Sequence, residues 1–220
     1  MQSISIIIPA WKEKGAASLA ASLSRVQDVE VILALCEADN VTRAPDGVRA
    51  VVAPRGRASQ MNAGAKIASG DILLFLHADS LIEADSLVNV RKTLGRPGVA
   101  GGAFRLKIDS SSLWLRFISF CANVRTRLLG LPYGDQALFL KKEVFDSLGG
   151  YEQTPMLEDV LLVEQIKLRG KLVILDDYAI TSARRWIAKG KYMTTARHWA
   201  IMIAYYLGMG PDRLARMFRR

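Results

Sequence analysis

The order of strand-like and helix-like segments in the first 95 residues constrains the fold more than any other feature of the chain. Short β-branched and apolar runs alternate with segments rich in alanine and leucine. The strand-like runs are residues 3–8, 30–36, 48–53 and 71–76, and the helix-like runs are 15–26, 58–69 and 84–94. This β-α-β-α-β order predicts an α/β protein with a mostly parallel sheet and helices on both faces. Pro9 is expected to end the first strand, because proline has no N–H to donate to a neighbour.

The second half of the chain is less regular. We expect extended segments at 99–108, 137–140 and 171–175, and helices at 113–129, 158–169 and 191–209. No break in composition marks a second folded unit. The organisation expected is one domain over residues 1–188, followed by a C-terminal amphipathic helical tail at 189–220.

Composition and charge narrow the class of protein. The chain is 50% hydrophobic and 23% charged, which is typical of a globular domain and not of a disordered one. The formal net charge of +9 favours an anionic partner, such as a nucleotide diphosphate, a nucleic acid or an acidic membrane surface. A nucleic-acid module would carry a recognition motif beside its charge, and the sequence has none.

Cysteine usage and the N-terminal residues bear on the compartment. Cys36 and Cys121 both lie in apolar runs and are expected to be buried free thiols. The opening sequence lacks the positive leader of a signal peptide. A cytoplasmic location fits both features.

The first strand is followed by the sequence PAWKEKG. Ligands of open α/β sheets bind beyond the carboxyl ends of the strands, which places Pro9, Ala10 and Glu13 at the edge of a nucleotide site. The alternative is an ordinary strand-to-helix loop with a solvated Glu13.

The fourth strand is followed by HADS. An apolar run delivers Asp79 to the strand's carboxyl end, where a carboxylate can hold a divalent cation that bridges a diphosphate. His77 would face the same side of a continuing strand, as a second ligand or as a neutral hydrogen-bonding wall. The alternative for Asp79 is a cap on the following helix, a role for which Ser80 also qualifies.

A basic loop, APRGRASQMNAG, precedes the second predicted helix. Its exposed backbone donors, together with Arg55 and Arg57, could contact phosphates, while Gln60 and Asn62 offer neutral hydrogen-bonding groups. The loop lacks the GK[ST] ending of an ATPase phosphate-binding loop, so an ordinary basic loop is the alternative.

Two acidic groups stand in the second half. Asp135 follows Gly134 before a short strand, and Glu158 and Asp159 open a helix. One such carboxylate could deprotonate an acceptor hydroxyl, and another could help to bind a diphosphate and its metal. Acidic residues at a helix start are also a common stabilising device. Because adjacent helical residues point about 100° apart, we expect only one of Glu158 and Asp159 to face a site.

Taken in order, these segments resemble glycosyltransferase family 2. The resemblance rests on SIIIPAWKE, FLHADS, GGYEQTPMLEDVLL and the pair Arg185-Trp186. GRASQMNAGA, GGAFRL and PYGDQALFL further resemble the small bacterial subgroup called radical-SAM/selenodomain-associated transferase 2. The match runs from about Ser3 to Trp186.

The resemblance implies a GT-A fold, a Rossmann-like sheet, and transfer of a sugar from a nucleoside diphosphate sugar with inversion. It implies Mn²⁺ or Mg²⁺ as cofactor, with Asp79 as metal ligand; His77 is a candidate second ligand only from its position on the strand. Asp159 would be the general base, with Glu158 beside it. The resemblance implies that Pro9, Ala10 and Glu13 contact the nucleotide and that Asp135 and Gln136 line the acceptor or sugar pocket. Arg184, Arg185 and Trp186 would close over the diphosphate. Arg55, Arg57, Gln60 and Asn62, proposed above from the basic loop, complete the candidate nucleotide-sugar contacts.

This sequence departs from the family's pattern at three places. Many members carry an aspartate where this chain has His77, which weakens a metal site of two carboxylates. Glu37 or Asp39 would have to replace the usual acidic nucleotide contact after the second strand. Ser182 stands where a Gln-x-x-Arg-Trp motif would begin, which argues against processive polymer synthesis.

The tail combines an apolar, aromatic run, 198–210, with flanking lysines and arginines. The run is too short to span a bilayer, which takes about 20 residues. Trp199, Tyr205 and Tyr206 could sit at headgroup level, giving peripheral contact with an anionic membrane and making a lipid-linked acceptor plausible. The alternative is a helix packed on the core.

Two other functions compete with sugar transfer. A nucleotidyltransferase of related fold would show a glycine-rich basic loop after the first strand, which PAWKEKG does not provide. An idle nucleotide- or membrane-binding module would not need Asp79, Glu158 and Asp159.

Overall fold

A computed structural model of the chain describes residues 2–13, 15–36 and 44–218. The strands are β1 (Ile4–Ala10), β2 (Val29–Cys36), β3 (Val48–Ala53), β4 (Ile72–Phe75), β5 (Ser80–Leu81), β6 (Val99–Asp109), β7 (Phe139–Lys141) and β8 (Lys171–Ser182). The helices are α1 (Ala16–Leu23), α2 (Arg57–Ile67), α3 (Ser86–Leu94), α4 (Leu113–Leu129), α5 (Lys142–Ser147), α6 (Glu158–Arg169), α7 (Arg184–Lys189), α8 (Lys191–Tyr206) and α9 (Pro211–Phe218). Glu37 and Asp39, the candidate acidic contacts after β2, lie outside the described residues.

The described strands form one sheet in the order β3-β2-β1-β4-β7-β6-β8-β5. The first four neighbours, β3, β2, β1 and β4, pair in parallel, as the β-α-β alternation predicted. β7 runs antiparallel to both β4 and β6, whereas β6 and β8 are parallel to each other. The sheet is therefore parallel in its first half and mixed in its second.

Helices cover both faces of the sheet, and the alternation along β1 shows how. Ile4, Ile6 and Ile8 pack with α1 and α3, while Ile7 packs with α2, α5 and α6 on the opposite face. All four isoleucines are fully buried. A strand buried on both faces is continuously apolar, which explains why 4–8 is a short apolar run interrupted only by Ser5.

The expectation that Pro9 ends the first strand is wrong, because β1 continues through Pro9 to Ala10. The Ile7 carbonyl accepts the last bond from the β4 side, from the Leu76 N–H. The next backbone nitrogen of β1 that points toward β4 is that of Pro9, and it lies beyond the end of β4. Proline is tolerated there because no carbonyl of β4 needs its missing N–H.

The last strand is longer than expected. We predicted an extended segment over 171–175, and β8 instead reaches Ser182. Asp176 and Asp177 have low strand propensity, but pairing with β6 carries the strand past them after an irregularity near Ala103 and Arg105. This extension delivers Thr181 and the following Arg185 and Trp186 to the same end of the sheet as β4.

Candidate active site

A cavity of about 1130 Å³ opens beyond the carboxyl ends of β3 and β4. Segment 55–59 and residues His77 and Asp79 enter it from these strands. The charged side chains and histidines that line it are Arg55, Arg57, His77, Asp79, Arg125, Asp135, Glu158, Asp159, Arg185 and His198. Eight of the residues proposed from the sequence for nucleotide, metal or catalysis therefore converge on one site, and Trp186 lines it as well.

Arg57 is the first residue of α2 and lies among the acidic side chains of the cavity. Its guanidinium is 3.5 Å from the Glu158 carboxylate. Burial works to lower the pKa of Arg57, but the carboxylates of Asp159, Glu158, Asp79 and Asp135 outweigh it and raise that pKa. The guanidinium is thus a fixed positive charge around which four carboxylates gather.

Asp159 is buried, and its Oδ1 atom has no hydrogen-bond partner within the described chain. Burial, with the nearby carboxylates Glu158 and Asp135, raises the pKa of Asp159 to about 7. Arg57 and a hydrogen bond from the Gly134 N–H act in the opposite direction. Near neutral pH this carboxylate can therefore both hold and release a proton.

Both acids at the start of α6 line the cavity, which differs from the expectation that only one would. Glu158 and Asp159 are the first two residues of the helix, and Leu157 before them has a left-handed backbone, with φ of 66°. The helix begins at the cavity wall, so its first three residues all border the site. A left-handed non-glycine residue costs about 1–2 kcal/mol, and such strain collects at functional sites.

Asp135 and Gln136 lie in a 3₁₀ turn, Gly134–Gln136, below the cavity. The Asp135 carboxylate lines the cavity with one unpartnered buried oxygen, and burial raises its pKa against the opposing effect of Arg125, Arg185 and Arg57. Gln136 is fully buried behind the wall. Its Nε2 donates to the Phe104 carbonyl at 3.0 Å, which anchors the turn.

His77 and Asp79 lie in the turn between β4 and β5, and not on a continuing strand as expected. Both nevertheless face the cavity. Burial, with the positive charges of Arg57 and Arg185, holds the pKa of His77 well below its usual value, so the ring is neutral. α3 begins at Ser86 with Asp85 in the N-cap position, so neither Asp79 nor Ser80 caps that helix.

The cavity offers few side chains that could bind a cation held by a diphosphate. Within residues 2–13, 15–36 and 44–218, no group of three or more His, Cys, Asp and Glu side chains is placed to hold a metal ion. The Asp79 carboxylate and the neutral, unpartnered Nε2 of His77 offer two ligands on one wall. Cations bound to nucleotides take most of their other ligands from phosphate oxygens and water, so two protein ligands fit this use.

The two arginines expected to close over a diphosphate, Arg184 and Arg185, point in different directions. Arg185 lines the main cavity, whereas Arg184 points away and pairs with Glu13 at 2.6 Å. Arg184 lines a neighbouring pocket of about 420 Å³, which Asp79 also borders. Arg55 enters the main cavity with its guanidinium stacked 3.8 Å from the ring centre of Trp11.

Four proposed contacts lie behind the cavity surface or beside it. Gln60 donates from Nε2 to the carbonyls of Ala10 and Ala34, at 2.8 and 2.7 Å, and so ties the ends of β1 and β2 together. Asn62 exchanges two hydrogen bonds with the Tyr151 backbone, each at 2.8 Å. Neither amide lines the cavity, and neither do Pro9 and Ala10.

Sequence reasoning did not place α4 and α8 at the site, yet both form a wall of the cavity. α4 contributes Ile118, Cys121 and Ala122, so Cys121 is half-buried at the cavity and not enclosed in the core as expected. α8 contributes residues at helical spacing. They are Thr195, His198, Trp199, Ile201, Met202, Ile203 and Tyr206. The one signal available was this period in the tail, which indicated an amphipathic helix but not its partner.

Fold and site together define an α/β protein with a charged ligand cavity beyond the carboxyl ends of its strands, and comparison with known proteins identifies the family. The family model described as glycosyl transferase family 2 matches residues 5–151, more than half of the chain. The chain belongs to glycosyl transferase family 2. No curated protein matches the sequence significantly.

Solved structures show the same fold at low sequence identity. The mannosyltransferase PcManGT from Pyrobaculum calidifontis, in complex with GDP-Man and Mn²⁺, has 15% identity and a TM-score of 0.63, over 99% of this chain and 68% of that one. TarS residues 1–349 from S. aureus, in complex with UDP-GlcNAc, has 15% identity and a TM-score of 0.60, over 81% of this chain and 58% of that one. These matches confirm the GT-A fold.

Proposed function

We propose that the protein transfers a sugar from a nucleoside diphosphate sugar to an acceptor hydroxyl, with inversion at the anomeric carbon. The observation that carries this proposal is Asp159, a buried carboxylate with a free oxygen on the cavity wall and a pKa of about 7. General bases work best when their pKa lies near the operating pH. Glycosyl transferase family 2 membership, and neighbours that bind GDP-Man and UDP-GlcNAc, support a nucleotide sugar as donor.

The positive groups of the cavity suit the diphosphate of the donor. Arg57 and Arg185 line the cavity from two distant segments of the chain, and Arg55 lines it as well. Charge develops on the diphosphate as the bond to the sugar breaks, and fixed positive groups stabilise that charge in the transition state. We place the nucleoside beyond β1, toward Pro9, Ala10 and Glu13.

Asp159 is better placed than Glu158 to act as base. The Glu158 carboxylate is paired with Arg57, whereas Asp159 Oδ1 is unpartnered. The acceptor hydroxyl gives its proton to Asp159 as its oxygen forms a bond to the anomeric carbon. The bond from that carbon to the phosphate oxygen breaks, and its electron pair leaves on the nucleoside diphosphate. Burial, with the carboxylates of Glu158 and Asp135, keeps the pKa of Asp159 high enough to accept the proton.

A divalent cation fits this scheme, with Asp79 and His77 as its protein ligands. Mn²⁺ or Mg²⁺ bound there would neutralise charge on the leaving diphosphate. The neighbour in complex with GDP-Man also holds Mn²⁺, which supports the assignment. Neutral His77 keeps a lone pair available for such a ligand role.

We also propose peripheral contact with an anionic membrane. Among the described helices none has the length and hydropathy that crossing a bilayer demands. α4 nevertheless exposes an apolar stripe at helical spacing, formed by Leu113, Phe117, Phe120, Val124 and Leu128, each between 38% and 77% exposed. Arg116 and Arg127 on the same helix are exposed as well, and the net charge of the chain is +9. Apolar residues interleaved with arginines are typical of helices that lie at a lipid surface.

A screen of nucleoside diphosphate sugars tests the proposed donor. A ligand that binds only the folded state raises the unfolding temperature by mass action, and a bound nucleotide sugar should raise it further with Mn²⁺ present. UDP-, GDP-, ADP- and dTDP-sugars would be compared with the corresponding nucleoside monophosphates. If none of the sugars shifts the transition, with or without Mn²⁺, the proposed function is wrong.

A further inference from the structure

The cavity has two chemically different halves. Most of its arginines and carboxylates gather around Arg57, whereas the wall built from α4 and α8 is mainly apolar, with Arg125, Thr195 and His198 as its polar members. Ile118 and Ala122 of α4 line this second half together with Trp199, Met202 and Ile203 of α8. The total volume, about 1130 Å³, exceeds that of pockets for one drug-sized ligand, about 300–1000 Å³. There is room for a second ligand beside the donor.

α8 is held at both ends and crosses the cavity in between. Near its start, Trp114 Nε1 of α4 donates to Thr195 Oγ1 at 3.4 Å, and the rings of Trp114 and Tyr192 pack 5.0 Å apart. At its end, the Tyr205 hydroxyl donates to the Glu164 carboxylate of α6 at 3.0 Å. Tyr205 therefore serves as an attachment point on α6, and the middle of α8 is left to border the cavity.

The apolar wall continues from the inside of the cavity to its rim. Trp199, Ile203, Tyr206 and Leu207 line the cavity and are also exposed, with between 52% and 83% of their surface open to solvent. Contact between apolar surface and water costs free energy, about 25 cal/mol per Å², and an apolar ligand that covered this wall would remove that cost. A polar acceptor such as a free sugar would leave that surface uncovered.

We infer that this wall binds the hydrocarbon chain of an amphiphilic acceptor that comes from a lipid phase. The inference rests on the proposed function. The acceptor's hydroxyl headgroup lies at Asp159, and its chain runs along α8 past Met202 and Ile203 and leaves the cavity over the rim at Tyr206. The continuity of the wall from the catalytic carboxylate to solvent identifies the occupant, because only a ligand that is polar at one end and apolar along its length complements both. The sugar-transfer step itself is the one proposed above and is unchanged.

Binding of n-alkyl glucosides with chains of 4, 8 and 12 carbons, below their micellar concentrations, tests the inference. Each buried methylene should raise affinity about fourfold, so affinity should climb steeply with chain length. Ile203→Asp and Met202→Asp should flatten this dependence. Leu168→Asp is the matched control, because Leu168 lies on α6, is 78% exposed and does not line the cavity.

Thermal shifts with UDP and GDP, measured on the same samples, separate this inference from the proposed function. Nucleotide binding with no dependence on chain length overturns the apolar acceptor and leaves sugar transfer intact. Equal losses in Ile203→Asp and Leu168→Asp would place the chain outside the cavity and also overturn the inference. A chain-length dependence lost only in the α8 variants supports it, whatever the nucleotide result.

Discussion

Gly134 and Asp159 touch so closely that residue 134 has no room for a side chain. A β-carbon on Gly134 would lie well inside van der Waals contact with both carboxylate oxygens of Asp159. The Gly134 N–H instead donates a hydrogen bond to that carboxylate. The 3₁₀ turn that carries Asp135 and the first turn of α6 therefore hold Asp159 in one position. The need for glycine at 134 is steric, since its φ is not among the positive values found at eight other glycines.

Replacement of this glycine should damage the site more than the fold. In Gly134→Ala the new methyl group pushes the Asp159 carboxylate away, and overpacking of this kind costs about 1–3 kcal/mol. A base displaced by about 1 Å can cost 10²-fold in turnover. Sugar-transfer rate and unfolding temperature would be measured together. Gly210→Ala is the control, because no atom lies within 4 Å of its added β-carbon, and normal turnover in Gly134→Ala would contradict the packing argument.

Asp159→Asn should lower turnover by about 10²-fold or more, because the amide keeps the size of the side chain but cannot accept the proton. Donor binding should persist, because the contacts proposed for the donor are Arg57, Arg185 and the segment after β1, and not Asp159. Glu158→Gln should be milder, because it removes a partner of Arg57 and not the base. Near-normal turnover in Asp159→Asn beside an inactive Glu158→Gln would transfer the role to Glu158, and turnover kept in both would make Asp135 the next candidate.

The pH dependence of stability should differ between wild type and Asp159→Asn. The folded-state pKa of Asp159, about 7, lies above the unfolded value of about 3.9, so between these pH values the folded state binds more protons than the unfolded state. The free energy of unfolding should therefore fall as pH rises from about 4 to 7, and Asp159→Asn should remove that part of the slope. Denaturant unfolding at pH 4.5, 6 and 8 measures it, and parallel curves for both proteins would count against a raised pKa.

Metal dependence should be lost in Asp79→Ala. Nucleoside diphosphate binding by the wild type is expected to be tighter with Mn²⁺ or Mg²⁺, because Asp79 and His77 would hold a cation that neutralises charge on the phosphates. Calorimetry with and without the cation measures the difference. Glu83→Ala, a nearby exposed carboxylate outside the cavity, should keep it. Equal enhancement in wild type and Asp79→Ala would discard the assignment.

Membrane contact should depend on the stripe of α4. We expect wild type to float with anionic vesicles more than with neutral ones, because each basic residue near an anionic surface contributes on the order of 1 kcal/mol, which salt screens. Phe120→Asp introduces a charge into the stripe and should abolish flotation, whereas Leu168→Asp on α6 should not. Flotation that is absent, or insensitive to lipid charge, would rule out this contact.

Site residues that lie just after a predicted strand could be identified from the sequence. Asp79 follows the buried apolar strand β4 and Arg57 follows β3, and the rule for ligand sites in α/β sheets places both residues at one edge. The family resemblance is confirmed at the level of glycosyl transferase family 2. The narrower resemblance to the radical-SAM/selenodomain-associated subgroup stays a prediction.

Residues whose role depends on a distant partner could not be assigned in this way. Gln60 is polar and lies next to the basic loop, which made it a candidate ligand contact, yet its amide is taken up by the Ala10 and Ala34 carbonyls. Arg184 and Arg185 are adjacent arginines, and nothing in the sequence distinguishes their roles. The start of α7 turns one toward Glu13 and the other into the cavity.

What the sequence determined by itself is therefore the alternating α/β core and the residues at its strand ends, because apolar periodicity and strand order are local properties of the chain. Only the tertiary structure decided that α4 and α8 close the cavity, that Glu158 and Asp159 both border it, and that Gly134 positions Asp159. Each of these depends on contacts between segments far apart in sequence, such as Trp114 with Thr195. Such contacts are selected by packing and desolvation in the folded molecule, for which a linear pattern carries no signal.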